Sequence, residues 1–328
     1  MKSDAVTIVV VPRDHFSDSR ESLESIVQFT RPMCPLVYVD GGSPAAIARY
    51  LRERASADHF ELIRCDRYLT PNQARNIGAA RAKTRYIVFI DNDVVVAPDW
   101  LAPLVECADA TGAAIVGPLN FEKRPLHQIL HFAGGDAEIA VTDNDGERRR
   151  HLVDRIHKTR VPASATPTGA AEFHCMLVRT DVFRRLGGLD ENMLSTRENI
   201  DFCLAVSEAG GRIYLEPRSR ITYLPPERMS IADVPYFALR WSDLWDLSSF
   251  YHLRDKWKLE EDEYFRRQYE NVGWRRQGLM MRAGLLRWLV SHRLRAAAER
   301  LLRPLERRVN AAIARQHAKR YGVPLRVQ

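Results

Sequence analysis

The chain has 328 residues, 45% of them hydrophobic and 28% charged, a balance that suits a soluble globular protein of one large domain or one domain with an extension. No run of 18 apolar residues occurs, so no transmembrane helix is expected, and the apolar run from Val6 to Val11 is too short for an export signal. Five scattered cysteines (Cys34, Cys65, Cys107, Cys175, Cys203) show no C-x-x-C spacing, which argues against a zinc site or a disulfide framework and fits a reducing, cytoplasmic compartment. The net charge of +7 is uneven. From Asn271 to Gln328 fourteen Lys and Arg stand against two Glu, so a strongly basic tail follows a mildly acidic body, and an anionic membrane or nucleic acid is the natural partner for such a tail.

Met1 to Asp4 leads directly into Val6 to Val11, which reads as a buried strand closed by Pro12. Ser19 to Phe29 has helical spacing at Leu23, Ile26 and Val27. Leu36 to Val39 is a second strand ending in Asp40-Gly41-Gly42-Ser43, where the glycines permit a tight turn or the close approach of a ligand. A helix from Pro44 to Ala55, a strand from Phe60 to Arg64 and a helix from Asn72 to Lys83 follow. Tyr86-Ile87-Val88-Phe89-Ile90 is then a β-branched, apolar run, the pattern of a strand buried on both faces, and it ends in Asp91-Asn92-Asp93. Pro98 to Ala110 reads as a helix and Ala113 to Gly117 as a strand. Residues 120–167 are polar, with Gly134-Gly135, an acidic turn at Asp143-Asn144-Asp145-Gly146 and a basic Arg148-Arg149-Arg150; they form an irregular insertion or a hairpin, either shaping an acceptor site or simply solvated. Phe173 to Arg179 is a strand, Thr180 to Leu186 a short helix capped by Thr180, and Glu198 to Ala209 a helix stopped by Gly210-Gly211. Ile213 to Leu215 is a last strand, with Ile221 to Tyr223 a further candidate. From Trp274 to Gln328 two or three helices are expected, broken near Pro304.

Strands alternating with helices at this spacing imply βαβ units and a parallel sheet, and such sheets bind ligands at the carboxyl ends of their strands. Pro12, Asp40 and Asp91 all stand at such ends. Two carboxylates one residue apart at a buried strand end are costly unless they are paired or hold a cation, which makes Asp91 and Asp93 candidates for a hard divalent metal beside a phosphorylated ligand. A polar turn with Asp91 capping the next element explains Asp91-Asn92-Asp93 taken alone equally well; the coincidence of three strand-end features favours the ligand site.

The order and spacing of these motifs resemble glycosyltransferase family 2, nucleotide-sugar-dependent bacterial enzymes of the GT-A fold. The nucleotide-sugar half is matched by the first strand with Pro12, by Val39-Asp40-Gly41-Gly42-Ser43, by Ala74-Arg75-Asn76-Ile77-Gly78 and by Ile90-Asp91-Asn92-Asp93. The acceptor half is matched by Gly187-Gly188-Leu189-Asp190-Glu191, Glu198-Asn199-Ile200-Asp201-Phe202-Cys203-Leu204 and Ala209-Gly210-Gly211. Val6 to about Tyr223 is covered. The resemblance implies an α/β, Rossmann-like GT-A domain over 1–235, with a mostly parallel central sheet and flanking helices, a nucleotide-sugar half over about 1–118 and an acceptor half over about 119–235. A basic helical extension over 236–328 follows. It further implies metal-dependent, inverting transfer of a sugar from a nucleotide diphosphate sugar to a glycan or lipid-linked acceptor in polysaccharide biosynthesis. The Pro12 backbone and Asp40 would hold the base and ribose, Arg75 would reach the pyrophosphate or set the aspartate pair, Asp91 would sit near the ribose or metal, and Asp93 would ligate Mg²⁺ or Mn²⁺. A surface salt bridge for Arg75 and turn formation for Asp40 are the plainer explanations.

Two departures matter. Inverting members carry Glu-Asp where this chain has Glu198-Asn199, and that Asp is their general base; an amide cannot take a proton from an acceptor hydroxyl. Glu198 and Asp201, three apart on one helix face, are therefore the catalytic candidates, with structural pairing the bland role for Asp201. Glu-Asn also resembles the acceptor motif of some retaining enzymes. Second, the family's later histidine ligand is replaced by Tyr223, and a phenol is a poor ligand for these ions. His174 lies in an apolar strand, where it either packs or faces an acceptor together with Asn199. Trp241-Ser242-Asp243-Leu244-Trp245 either lines a sugar site or packs on the core. In the tail, Leu279-Met280-Met281, Leu285-Leu286 and Trp288-Leu289 alternate with Arg282, Arg287 and Arg293. Such a segment either lies in a membrane interface, giving peripheral contact through 274–328 at the inner face of the cytoplasmic membrane, or packs on the catalytic domain or a second subunit. A nucleotide-sugar-binding scaffold without catalysis, an Asp-nucleophile phosphatase and a nucleic-acid binder are the competing classes. Three strands precede the motif that such a phosphatase opens on, and only the tail speaks for nucleic acid, so neither is preferred.

Overall fold

The computed structural model describes residues 5–144, 147–227, 229–285 and 291–326, with Asn144 and His292 described by backbone alone. Met1 to Asp4, Asp145-Gly146 of the acidic turn, and Leu286, Arg287, Trp288 and Leu289 of the tail lie outside these residues. The first half alternates strand and helix: β1 (Val6–Val11), α1 (Ser19–Phe29), β2 (Leu36–Gly41), α2 (Ala45–Asp58), β3 (Glu61–Cys65), α3 (Pro71–Ala79) and β4 (Tyr86–Asp91). Then come β5 (Val94–Val96), α4 (Leu101–Thr111), β6 (Ile115–Glu122), β7 (Leu130–Phe132), β8 (Gly135–Asn144), β9 (Glu147–Ile156), β10 (Thr166–Pro167), β11 (Cys175–Arg179), α5 (Thr180–Arg185), α6 (Glu198–Glu208) and β12 (Ile213–Tyr223). Helices finish the chain: α7 (Val234–Arg240), α8 (Asp243–Trp257), α9 (Glu263–Glu270), a 3₁₀ turn at Trp274–Arg276, α10 (Leu279–Arg282) and α11 (His292–Tyr321).

The main sheet has the order β10-β12-β6-β11-β4-β1-β2-β3, with β5 on β12 and β7 on β6. β3, β2, β1 and β4 run parallel, β11 lies antiparallel between β4 and β6, and β6 and β12 are parallel to each other. The unbroken apolar runs follow from burial on both faces. Val9 and Val11 of β1 join Ile87 and Phe89 of β4 in one core layer, while Ile8 and Val10 join Val88 and Ile90 in the other.

Close packing explains α3. Its Thr70 cap and Gln73 form a reciprocal capping box, and Pro71 opens the helix. A Cβ on Gly78 would stand 2.3 Å from Val9 Cγ1, so the helix lies against β1 only because that residue has no side chain. Gly78→Ala should lower the unfolding free energy by about 1–3 kcal/mol despite alanine's better helix propensity. Equal denaturation midpoints for variant and parent would show that α3 has room to retreat.

Several expectations are corrected. The helix expected to run to Lys83 stops at Ala79. Ile213 to Leu215 and Ile221 to Tyr223 are one strand, β12, whose register on β6 slips between Glu216 and Arg220. The polar insertion contains a long β8–β9 hairpin, paired from Gly135 with Ile156 to Asn144 with Glu147. The break at Pro304 does not occur, and α11 runs through it. A proline in a helix interior costs about 3 kcal/mol. Tertiary contacts offset that cost: Glu306 bonds Arg276 at 2.7 Å, Arg307 bonds Asp243 at 2.7 Å, Asn310 Nδ2 donates to the Ala238 carbonyl at 2.7 Å, and Ala314 and Ala318 are buried beside Trp245. Among the described residues no helix is long and apolar enough to cross a membrane.

Candidate active site

Strand order brings distant segments to one edge. β1, β2 and β4 leave the sheet side by side, so Pro12, Asp40 and Asp91 converge, with Val11 paired to Asp91. β11 runs the opposite way with Cys175 opposite Ile90, which sets its lead-in residue His174 beside Asp91; the Asp91 N–H donates to the His174 carbonyl at 3.3 Å. β12 ends against β5, and the Leu224 N–H donates to the Asp93 carbonyl at 2.9 Å, which brings Tyr223 to the same place.

Asp91, Asn92 and Asp93 are all fully buried. Asn92 pins the turn to the end of β1: its Oδ1 accepts from the Arg13 N–H at 2.9 Å, and its Nδ2 donates to the His15 carbonyl and to Ser19 Oγ, each at 2.8 Å. Asp91 Oδ1 accepts from Arg75 Nη2 at 2.9 Å, while its Oδ2 lies 3.5 Å from Arg13 Nε and 3.3 Å from His174 Nδ1. Burial pushes Asp91 up, but the guanidiniums of Arg75 and Arg13 outweigh it and hold the carboxyl below its ordinary value. For Asp93 burial and then the Asp14 carboxylate push in the same direction, and it stands well above the ordinary value. Asp93 Oδ2 accepts from the Asp14 N–H at 3.3 Å and lies 3.8 Å from His15 Nδ1, and its Oδ1 has no hydrogen-bond partner among the described residues.

These residues fit a divalent ion. The ligand atoms of Asp91, Asp93 and His174 lie within 4.8 Å of one another, and Asp91 Oδ2, Asp93 Oδ1 and His174 Nδ1 are all buried without a hydrogen bond. Asp91 already has Arg75 and Arg13 as counter-charges, so it is the Asp93 carboxylate that a cation would stabilise. Two carboxylates with one imidazole suit Mn²⁺ better than Mg²⁺, which favours oxygen ligands. Tyr223 is no ligand here: its OH donates to Asp14 Oδ2 at 2.6 Å, its ring stacks on His174 at 4.2 Å, and burial followed by the Asp14 charge pushes the phenol well above its ordinary value.

Glu198 opens α6 and is 3% exposed. Its Oε1 lies 3.2 Å from Arg240 Nη2, 3.4 Å from Arg13 Nη1 and 3.7 Å from Arg75 Nη1. Arg75 is fully buried, with its guanidinium 4.0 Å from the Phe173 ring centre, so it links Asp91 to Glu198 and is not a surface salt bridge. Asp201 is not brought to this cluster. Its carboxylate turns to the end of α8, accepting from Trp257 Nε1 at 2.8 Å and Lys256 Nζ at 2.7 Å, contacts of the structural pairing that was the alternative to the catalytic role expected for it. Asn199 Nδ2 donates to the Ala171 carbonyl at 3.0 Å, and the residue opens on a cavity of about 50 Å³ shared with Glu172 and Asp154.

At the end of β2, Asp40 accepts from the Ser43 N–H at 2.9 Å and Ser43 Oγ at 2.8 Å, and it pairs with Arg64, so its turn-forming role is real. Gly42 has φ +83°, and a Cβ there would meet the Arg67 carbonyl at 3.1 Å. Beyond it lies a cavity of about 340 Å³ lined by Gly42, Arg64, Asp66, Arg67 and Tyr68, with His317 and Tyr321 of α11 on its far wall. The Trp241–Trp245 stretch divides: Trp245 is fully buried, whereas Trp241 Nε1 donates to Asp14 Oδ1 at 3.0 Å and its ring lies under Arg240 and Arg275 at 4.2 and 4.1 Å.

Residues 8–187, more than half of the chain, match the family model described as Glycosyl transferase family 2. The chain belongs to that family. Among curated relatives it is 28% identical over 215 residues to an uncharacterized protein of Sinorhizobium fredii, covering 62% of this chain and 23% of that one. It is 25% identical over 224 residues to the pre-mycofactocin glycosyltransferase of Mycobacterium tuberculosis, covering 66% and 42% respectively. The match therefore spans less than half the length of either relative. The fold is that of a GT-A glycosyltransferase: a solved structure described as GalNAc-T7 with UDP, GalNAc and Mn²⁺ superposes with a TM-score of 0.53 at 17% identity, over 84% of this chain and 57% of that one.

Five residues at this family 2 site escaped the sequence reading: Arg13, Asp14, His131, Glu172 and Arg240. Arg13 and Asp14 follow Pro12 at a strand end and were open to the same argument as Asp40. His131 lies between carboxylates, 3.3 Å from Glu122 and 3.5 Å from Glu172, and with Glu172 and His174 forms a second close group of metal-ligand type. Nothing local marks His131, Glu172 or Arg240. Burial pushes Asp14 up, but Arg13, Arg275 and Arg240 prevail and hold it at about 2, below its ordinary 3.8. Its folded value is depressed, so its contribution to stability is present above about pH 4 and is lost as pH falls towards 2; a shift of this size is worth about 2 kcal/mol. Asp14→Asn should flatten the loss of stability between about pH 4 and pH 2 by roughly that amount. Parallel pH–stability curves for variant and parent would assign the acid sensitivity elsewhere.

Proposed function

We propose that this family 2 chain transfers a sugar from a nucleotide diphosphate sugar to a glycan or lipid-linked acceptor, with a divalent cation held by Asp91, Asp93 and His174. The observation that carries this reading is the buried Asp91–Asp93–His174 group at the carboxyl edge of β1 and β4, with its ligand atoms within 4.8 Å of one another and Asp93 Oδ1 without a hydrogen bond among the described residues, flanked by Arg13 and Arg75. When bound, the cation would neutralise charge that develops on the departing diphosphate. Arg13 and Arg75 add fixed positive charge at the same edge. Arg75 is held by Asp91, Glu198 and Phe173, so little reorganisation is needed when an anion arrives. Glu198 is assigned to positioning: its Oε1 gathers three guanidiniums from the end of β1, from α3 and from α7. Asp40 and the cavity beyond Gly42 support a nucleoside position at the end of β2.

Inversion belongs to this reading through the family resemblance, and the amide of Asn199 requires the acceptor's proton to go elsewhere. Titration calorimetry with UDP and with GDP, each with and without Mn²⁺, is the primary test. Tighter diphosphate binding with Mn²⁺ supports the proposal, and the absence of metal-dependent binding for either nucleotide overturns it. A donor-hydrolysis screen then names the sugar. Product anomers read by NMR decide the stereochemistry, a retained configuration ruling out inversion.

A further inference from the structure

The helix α11 presents an apolar face that nothing in the described structure covers. Leu294, Leu301, Leu305, Val309 and Ile313 follow one another at steps of seven and four residues, so they form one stripe along the helix, widened by Leu302. All six are exposed, Leu301 at 82% and Leu305 at 58%. The stripe is not a core face awaiting a fit. The opposite side of α11 is already docked through Asn310 on Ala238, through His317 Nε2 on the Tyr68 carbonyl at 3.1 Å, and through buried Ala314 and Ala318. Arg308, Arg315 and Lys319, again at steps of seven and four, run along one edge of the stripe, exposed and with no ion-pair partner among the described residues. Over its whole length the helix has nine Lys and Arg against two Glu.

We propose that this face of α11 docks on an anionic lipid bilayer, lying in the plane of the interface with the leucine stripe in the acyl boundary and Arg308, Arg315 and Lys319 on the headgroups. Charge complementarity selects this occupant. A second copy packed antiparallel on the stripe would bring the same row of cations against itself, a parallel copy would leave both rows without a counter-charge, and a nucleic-acid backbone would take the cations but leave six large apolar side chains in contact with charge. A bilayer surface satisfies both at once. The inference is independent of the glycosyl reaction, since none of these residues belongs to the active site.

The test is sedimentation of the full chain with phosphatidylcholine vesicles, with and without phosphatidylserine, at low and high salt. The parent should bind the phosphatidylserine vesicles and release at high salt. Leu301→Asp with Leu305→Asp, and separately Arg308→Gln with Arg315→Gln and Lys319→Gln, should each weaken that binding by about tenfold or more. Circular dichroism and diphosphate binding should match the parent, because the altered side chains are exposed and remote from Asp91. A parent that ignores anionic vesicles, or variants that bind as well as the parent, overturns the proposal. So does lipid-free sedimentation velocity showing a dimer that Leu301→Asp with Leu305→Asp dissolves, since the stripe would then belong to a second copy.

Discussion

Asp93→Ala is expected to abolish Mn²⁺-dependent binding of a nucleoside diphosphate and to lower turnover by on the order of 100- to 1,000-fold, the range for loss of one group that stabilises transition-state charge. The expectation rests on a buried carboxylate with one oxygen unpartnered, beside Asp14 and Asp91. The same geometry gives a second, less obvious outcome. Burial and like charge disfavour the ionised Asp93 in the metal-free protein, so removing it should leave the metal-free unfolding temperature unchanged or higher. Mn²⁺ should raise the parent's unfolding temperature by mass action and leave the variant's where it was. A variant that binds diphosphate with Mn²⁺ as tightly as the parent would end the assignment of Asp93 as a ligand. A variant that is markedly less stable without metal would show that the contacts of this carboxylate with the Asp14 N–H and His15 outweigh the cost of burying it.

Glu198→Gln and Asp201→Asn are expected to separate, although the two residues share the first turn of α6. The Glu198 charge is set among Arg13, Arg75 and Arg240, all largely buried. Its neutralisation leaves those guanidiniums short of a counter-charge and frees Arg75 from one of its two carboxylates. Turnover should fall by about 100-fold, with kcat falling more than KM rises, and stability should drop by about 3 kcal/mol. Asp201→Asn weakens only the pairing with Lys256 and Trp257, so it should cost about 1–3 kcal/mol of stability while turnover stays close to the parent's. Steady-state kinetics and denaturant melts on both variants check this. A large kinetic defect in Asp201→Asn at full folding would return it to the mechanism, and near-normal turnover in Glu198→Gln would remove the arginine-gathering role.

Much of the framework is determined by local pattern. The runs Val6 to Val11 and Tyr86 to Ile90 contain no polar residue that would suit an exposed face except Thr7, and a strand of that kind must be covered on both sides. Asp40-Gly41-Gly42-Ser43 spells its own turn, because the φ of Gly42 favours glycine and Ser43 supplies the donors that Asp40 needs. Parallel order then places Pro12, Asp40 and Asp91 together without further information. What only the tertiary structure decided is which partners those residues meet. His174 reaches Asp91 because β11 enters the sheet antiparallel to β4, and no periodicity within 173–179 records a strand's direction. Glu198 and Asp201 have the same helical spacing that would have put them on one face, yet α7 and the end of α8 arrive on different flanks of α6 and draw their carboxylates apart. Pro304 carries the local signal to break a helix, and contacts from residues far away in the chain override it. Spacing encodes the faces of a strand or helix, whereas the charge opposite a carboxylate is set by strand order and helix docking, which depend on the whole chain at once.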